Sequence, residues 1–145
     1  GLNDYFSGYA PDSQENLWDI STYGGALRTG IQNLKDVYPD ALIIVATPNP
    51  ISFYDYGMLP VGDAGYVLND YVVVARQVAE DMEVICLDNY VRLGITQENC
   101  SEYLLQDGVH LNGRGRLCYA KALIELIEEN LYFALPEESV RVFGE

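Results

Sequence analysis

The sequence contains a single histidine, His110, and Asp107 lies three residues before it in the segment DGVHLN. Histidine is the side chain best suited to moving protons near neutral pH. A carboxylate can hold one N–H of the imidazole ring and stabilise the imidazolium, while the other ring nitrogen takes a proton from a nucleophile. The pair therefore predicts general-base chemistry. The alternative is a loop acid beside a histidine that packs locally.

A second candidate lies at the start of the chain, in the segment GLND. If this segment follows a strand, Asn3 lies where parallel α/β sheets bind their ligands, outside the carboxyl ends of the strands. The amide N–H of an asparagine there can stabilise a developing oxyanion. Gly, Asn and Asp are also ordinary turn residues, so a simple turn is the alternative.

Two short, continuous and β-branched stretches predict buried parallel strands, at residues 41–47 and 83–88. Three stretches have apolar residues at helical spacing and predict amphipathic helices. The first stripe is ended by Pro39, the second has Asp63 as a candidate cap, and the third has Asn112. The stripes consist of Tyr23, Leu27, Ile31, Leu34 and Tyr38, then Val67, Tyr71, Val74 and Val78, then Leu117, Ala120, Ile124, Ile127 and Leu131.

The order helix, strand, helix, strand, helix is typical of an α/β fold with a parallel sheet under helices. Two apolar strands need neighbours at their edges, so we expect further strands from a segment before Gly1. We expect residues 1–133 to be the C-terminal part of a single domain and residues 134–145 to be a loosely held tail.

The charge balance limits the possible partners. There are 22 acidic and 8 basic residues, a formal net charge of −14, which argues against nucleic acid and anionic membranes. The apolar runs are far shorter than the ~20 residues of a membrane helix. The three cysteines, Cys86, Cys100 and Cys118, are widely spaced and form no ordinary zinc motif. Cys86 and Cys118 lie in apolar surroundings, which predicts that they are buried.

The sequence resembles the SGNH hydrolases, which are also called the GDSL esterase and lipase family. The resemblance rests on GLND, on DGVHLN about 100 residues later, which look like the third and fifth blocks of that family, and on the final amphipathic helix. The resemblance extends to about Leu131. It implies a flavodoxin-like three-layer α/β/α sandwich whose N-terminal part is absent from this chain. The family's Gly-Asp-Ser block, which carries the nucleophile, and its glycine oxyanion donor have no counterpart here. Ser13 follows an aspartate but no strand.

The resemblance implies specific roles. Asn3 would be an oxyanion donor, His110 the general base and acid, Asp107 the orienting carboxylate, and Gly1 the turn residue that aims Asn3. Three aromatic residues could line the substrate site, although packing in the core or at its rim is an alternative: Tyr5, Phe6 and Tyr54. The expected reaction is hydrolysis of an acyl or carbohydrate-acetyl ester. No metal or cofactor is implied, and an N-terminal segment of the same protein would carry the serine.

Two other functions remain as alternatives. A non-catalytic binding or scaffolding half-domain could keep these residues after losing its nucleophile. A flavodoxin-like nucleotide or receiver domain would use the same element order, but the sequence has neither a glycine-rich phosphate loop nor an acidic metal cluster.

Overall fold

A computed structural model describes residues 1–52, 57–60 and 65–134. In this part of the chain a small parallel sheet is surrounded by helices, which makes a helix-rich α/β structure. Its elements, in chain order, are α1 (Leu2–Ser7), α2 (Tyr23–Val37), β1 (Ile44–Ala46), α3 (Leu68–Asp81), β2 (Ile85–Leu87), α4 (Asn89–Arg92), α5 (Cys100–Tyr103) and α6 (Gly113–Ala134). The three long helices were predicted, whereas α1, α4 and α5 were not.

Helix α2 confirms the first predicted helix. The hydroxyl of Thr22 accepts a hydrogen bond from the Gly25 N–H at 3.1 Å, which caps the N-terminus. The helix ends at Val37, two residues before Pro39, as the proline predicts. Only the first half of the apolar stripe is buried, however, because Leu34 and Tyr38 are exposed.

Helix α3 confirms the second predicted helix but not its cap. Tyr71 and Val78 are completely buried. Val67 occupies the N-cap position, and its N–H donates to the Asp70 carboxylate at 2.8 Å. Asp63 lies outside the described residues and outside the cap position, so the prediction that it caps this helix is wrong.

The two predicted strands exist and pair in parallel, with Ile44 opposite Ile85 and Ala46 opposite Leu87. Each strand has three residues, fewer than predicted, although the flanking Ile43 carbonyl and Thr47 N–H still form hydrogen bonds with Ile85 and Leu87 at 3.2 and 3.0 Å. Sequence patterns identify a buried strand better than they identify its ends.

Side chains of the two strands alternate between two apolar clusters. Val45 and Cys86 pack in one cluster, with residues of α1, α2 and α3. Ile44, Ile85 and Leu87 pack in the other, with residues of α5 and α6. Since successive side chains of a strand point to opposite faces, helices pack on both faces of this small sheet.

Helix α6 has the predicted cap, but a different face is buried. The Asn112 side chain accepts hydrogen bonds from the Arg114 and Gly115 N–H groups at 2.8 and 3.1 Å. The residues that pack towards the sheet are Ala122 and Leu126, not the predicted stripe. Leu117 and Ile124 of that stripe are 58% and 54% exposed. The prediction of the core face is therefore wrong, because tertiary contacts selected the other apolar side.

Cys86 and Cys118 pack against the apolar clusters but are only partly buried, less than the sequence predicts, and all three cysteines are free. Among the described helices, none has the length and hydropathy needed to span a bilayer. The described residues also contain no cluster of His, Cys, Asp and Glu that could hold a metal ion. Residues 135–145, which form most of the predicted tail, lie outside the described ranges.

Candidate active site

The segment from Tyr103 to Asn112 folds back on itself and fixes His110. The Leu105 N–H donates to the His110 carbonyl at 2.7 Å, and the Asn112 N–H donates to the Tyr103 carbonyl at 2.8 Å. Gly108 has a φ of 68°, a left-handed conformation that glycine adopts without strain. The reversal brings the side chains of Asp107 and His110 to the same side.

Asp107 and His110 form the hydrogen bond that the sequence predicts. His110 Nδ1 and Asp107 Oδ2 are 2.9 Å apart. The His110 side chain is 74% exposed, and Nε2 has no hydrogen-bond partner among the described residues. A carboxylate on Nδ1 favours the tautomer in which Nε2 is free to accept a proton, so this pair can act as a general base.

The other carboxylate oxygen of Asp107 organises the turn. Oδ1 accepts the Val109 N–H at 2.8 Å and the His110 N–H at 2.9 Å. The backbone N–H of His110, the N–H of Val109 and the His110 ring together lower the pKa of Asp107 from 3.8 to about 2. Asp107 is therefore ionised at every physiological pH.

The loop after β1 anchors this turn to the sheet. The Ser52 N–H donates to the Gly108 carbonyl at 2.8 Å. The Asn49 amide donates to the carbonyls of Pro50 and Val109 at 2.9 and 3.3 Å. The position of His110 is consequently set by residues that follow the carboxyl end of β1, where parallel sheets bind ligands.

His110 and Asn3 line one cleft of about 390 Å³. Asn3 is exposed, and its amide has no hydrogen-bond partner within the described part of the chain, so its N–H groups can meet a ligand. A Cβ on Gly1 would lie 2.7 Å from Pro48 Cγ, so glycine permits this close approach. The cleft is lined by Gly1, Leu2, Asn3, Asp4, Phe6, Thr47, Pro48, Asn49, Val109 and His110.

The three predicted substrate-contacting aromatics differ in position. Phe6 lines the cleft and is 39% exposed. Tyr5 has no exposed surface and lies in the core, where its hydroxyl donates to the Leu59 carbonyl at 3.0 Å. Tyr5 is therefore a core residue, which was the alternative interpretation of the sequence, and it cannot contact a ligand in the cleft. Tyr54 lies outside the described residues.

No serine is among the described residues that line the cleft. Ser52 contacts Gly108 on the backbone side of the turn, where its hydroxyl lies 3.3 Å from the carbonyl oxygen. Ser13 lies in the loop before α2 and accepts the Asn16 N–H at 3.2 Å. Neither serine forms a hydrogen bond with the His110 ring.

Sequence reasoning missed a polar network beneath the cleft. The Thr47 hydroxyl donates to Asp88 at 3.2 Å, and Asp88 forms an ion pair with Arg76 at 2.7 Å. The Asn89 amide donates to the Thr47 carbonyl at 3.1 Å. This network ties the carboxyl ends of β1 and β2 together. The only sequence signal is that Thr47 and Asp88 are the first polar residues after the two apolar strands.

Comparisons with known proteins support the fold. No protein-family model matches the sequence, and no curated protein matches it. A Lactobacillus plantarum protein superposes with a TM-score of 0.73 at 23% identity, over 88% of this chain and 63% of its own. A Parabacteroides merdae protein described as a "putative GDSL-like lipase" superposes with a TM-score of 0.63 at 21% identity, over 87% of this chain and 56% of its own.

The chain therefore spans less than two thirds of the length of these solved chains. The similarity supports a GDSL-like fold for the described elements. At these identities it concerns the fold alone, because one fold can carry many functions.

Proposed function

We propose that this chain carries the histidine, the aspartate and one oxyanion donor of an SGNH-type serine ester hydrolase. The observation that carries this proposal is the 2.9 Å hydrogen bond between Asp107 and His110, at a cleft that Asn3 also lines. Acyl transfer requires a base, an orienting carboxylate and an oxyanion donor. His110 has a free ring nitrogen, Asp107 is ionised, and the Asn3 amide has no partner among the described residues.

In the proposed reaction, His110 Nε2 takes the hydroxyl proton of a serine as the serine oxygen attacks the ester carbonyl. The negative charge that develops on the carbonyl oxygen accepts a hydrogen bond from the Asn3 amide. His110 then gives its proton to the departing alcohol, which leaves an acyl-enzyme. Water attacks the acyl-enzyme while His110 takes a proton from that water. His110 then returns the proton to the serine oxygen as the bond between this oxygen and the acyl carbon breaks, which regenerates the serine and releases the carboxylic acid.

The nucleophilic serine, in this proposal, belongs to a segment of the same protein that precedes Gly1. Two observations support this proposal. No described serine lines the cleft. The described sheet has only two strands, and apolar residues near its ends in sequence, such as Leu42, are exposed. Additional strands from that segment would complete a three-layer, flavodoxin-like α/β/α sandwich. The substrate is an acyl ester, with acetyl groups on carbohydrate as the proposed class.

Hydrolysis of a simple aryl acetate tests the proposal. The 145-residue chain alone should hydrolyse it no faster than its His110→Ala variant. A protein extended by the preceding segment should be active, and both His110→Ala and a serine-directed fluorophosphonate should abolish that activity. Mass spectrometry of the labelled protein should place the phosphonate on a serine before Gly1.

Two outcomes would contradict this proposal in different ways. His110-dependent activity of the well-folded chain alone would place the nucleophile among its own six serines. An extended protein that binds esters or carbohydrate but shows no turnover and no phosphonate labelling would instead be the non-catalytic binding half-domain.

A further inference from the structure

Helix α6 has two apolar sides, and only one of them is covered. Ala122 and Leu126 are 6% and 5% exposed and pack towards the sheet. Ile124 lies two residues from each of them, which at about 100° per residue places it on the opposite side of the helix. Leu117 is also on that side, and both Leu117 and Ile124 are more than half exposed.

The exposed side has the spacing of a helix-packing seam. Leu117, Ala120, Ile124 and Ile127 follow one another at steps of three, four and three. Alternating steps of three and four are the a and d positions of a heptad repeat, which pack against a second helix. The seam defined by these four residues covers about 15 Å of the helix, at 1.5 Å per residue.

The charges beside the seam select the partner and its direction. In the heptad, Lys121 and Glu128 both occupy e positions and Arg116 occupies a g position, and all three are exposed. In a parallel pair, Arg116 of one helix would face Lys121 of the other, which is repulsive. In an antiparallel pair, Lys121 would face Glu128 of the second copy, and twofold symmetry forms this attraction twice.

Other charges of α6 are already used inside the chain. Arg114 forms an ion pair with Glu102 at 2.5 Å, and Glu129 forms one with Arg92 at 2.9 Å. Lys121 and Glu128 have no ion-pair partner among the described residues. The two charges that complement each other across an antiparallel pair thus have no ion pair within the described ranges that would compete with the contact between copies.

We propose that α6 forms an antiparallel homodimer through this seam. Ile124 of one copy packs against Ile127 of the other at the centre, and Lys121 and Glu128 flank these contacts. One helix pair buries less area than a standard stable interface, so the dimer is weak and reversible. Each copy carries a net charge of −14, so association also requires enough salt to screen the long-range repulsion.

Sedimentation velocity of the 145-residue chain at about 0.15 M salt, over a wide range of protein concentration, tests this proposal. We expect an equilibrium between monomer and dimer, with no larger species. Lys121→Glu and Glu128→Lys should each lower the association constant about tenfold, since each replaces two attractions by two repulsions. The double variant Lys121→Glu/Glu128→Lys should restore association to near the original value.

Two further variants control the experiment. Glu125→Lys makes the same change in net charge as Glu128→Lys, but residue 125 is at a b position away from the seam, so association should be unchanged. Ile124→Asp should abolish dimerisation with little change in the thermal unfolding midpoint, because the side chain is more than half exposed.

Several results would overturn the proposal. These are a monomer at all concentrations, assembly that continues beyond a dimer, or failure of the double charge reversal to rescue the single variants. Stronger association in Lys121→Glu alone would also overturn it, since only a parallel pair places residue 121 beside Arg116.

Discussion

The two sides of the candidate site are built in different ways. On the His110 side, the base and its carboxylate are three residues apart, and hydrogen bonds within residues 103–112 hold them against each other. Asn49 and Ser52 fix this turn as a whole to the sheet, but they do not set the geometry within the pair. On the Asn3 side, the position of the amide depends on contacts distant in sequence. Gly1 lies against Pro48, and Tyr5 is anchored to the Leu59 carbonyl.

This difference predicts how each side responds to substitution. A local turn held by a side chain and several backbone hydrogen bonds keeps its shape when distant packing changes. A side chain placed by long-range contacts moves when any of those contacts is lost. Changes in the core should therefore disturb the oxyanion side before they disturb the Asp107–His110 pair.

The largest expected effect is on turnover of the extended, active protein when Asp107 is replaced by Asn. The Asn carbonyl oxygen can keep the two backbone hydrogen bonds, while its amide would donate to His110 Nδ1. The proton would then lie on Nε2, and the ring could no longer act as a base. We expect kcat to fall by about 10⁴-fold with little change in folding stability. Unchanged kcat would show that Asp107 only shapes the turn.

The next effect concerns Asn3→Ala in the same active protein. Loss of one oxyanion donor should lower kcat by about 10²–10³-fold with little change in KM, because the interaction strengthens in the transition state. Asn33→Ala, an exposed asparagine on α2 outside the cleft, is the matched control and should be neutral. An increase in KM with unchanged kcat would indicate that Asn3 contributes to ground-state binding and not to oxyanion stabilisation.

A smaller effect is expected from Tyr5→Phe, which removes the hydrogen bond to the Leu59 carbonyl. The free energy of unfolding, measured with urea, should fall by about 1 kcal/mol. Tyr9→Phe is the control, because the Tyr9 side chain is 57% exposed. Nitrogen NMR of the His110 ring should show an unperturbed tautomer in Tyr5→Phe; a changed tautomer would contradict the independence of the two sides.

The smallest effect concerns the pKa of Asp107 in the His110→Ala variant. The largest causes of the lowered pKa are the backbone N–H groups of residues 110 and 109, and alanine retains both. The carboxylate titration, followed by carbon NMR, should therefore keep its midpoint well below 3.8. A return to 3.8 would show that the imidazole ring dominates.

The pH dependence of stability follows from the same shift. Since the folded-state pKa of Asp107, about 2, is below its ordinary value, ionised Asp107 stabilises the fold above about pH 3.8. That stabilisation is lost as the pH falls towards 2. Between about pH 3.8 and pH 2, the free energy of unfolding should therefore fall with a similar slope in the wild type and in His110→Ala.

The sequence by itself determined the features that depend on neighbouring residues. The Asp107–His110 hydrogen bond, the Asn112 cap and the end of α2 before Pro39 were predictable, because each involves residues a few positions apart. The parallel pairing of two apolar strands was also predictable, since such runs need sheet neighbours and cover on both faces.

The tertiary structure alone decided the features that depend on which distant surfaces meet. Tyr5 is buried because it packs with Tyr71, and Phe6 next to it faces the cleft, although both are aromatic residues of one short segment. Helix α6 carries apolar residues on two sides, so periodicity could not select the covered one. Burial against the sheet selected the side of Ala122 and Leu126, and this choice left Leu117 and Ile124 at the surface.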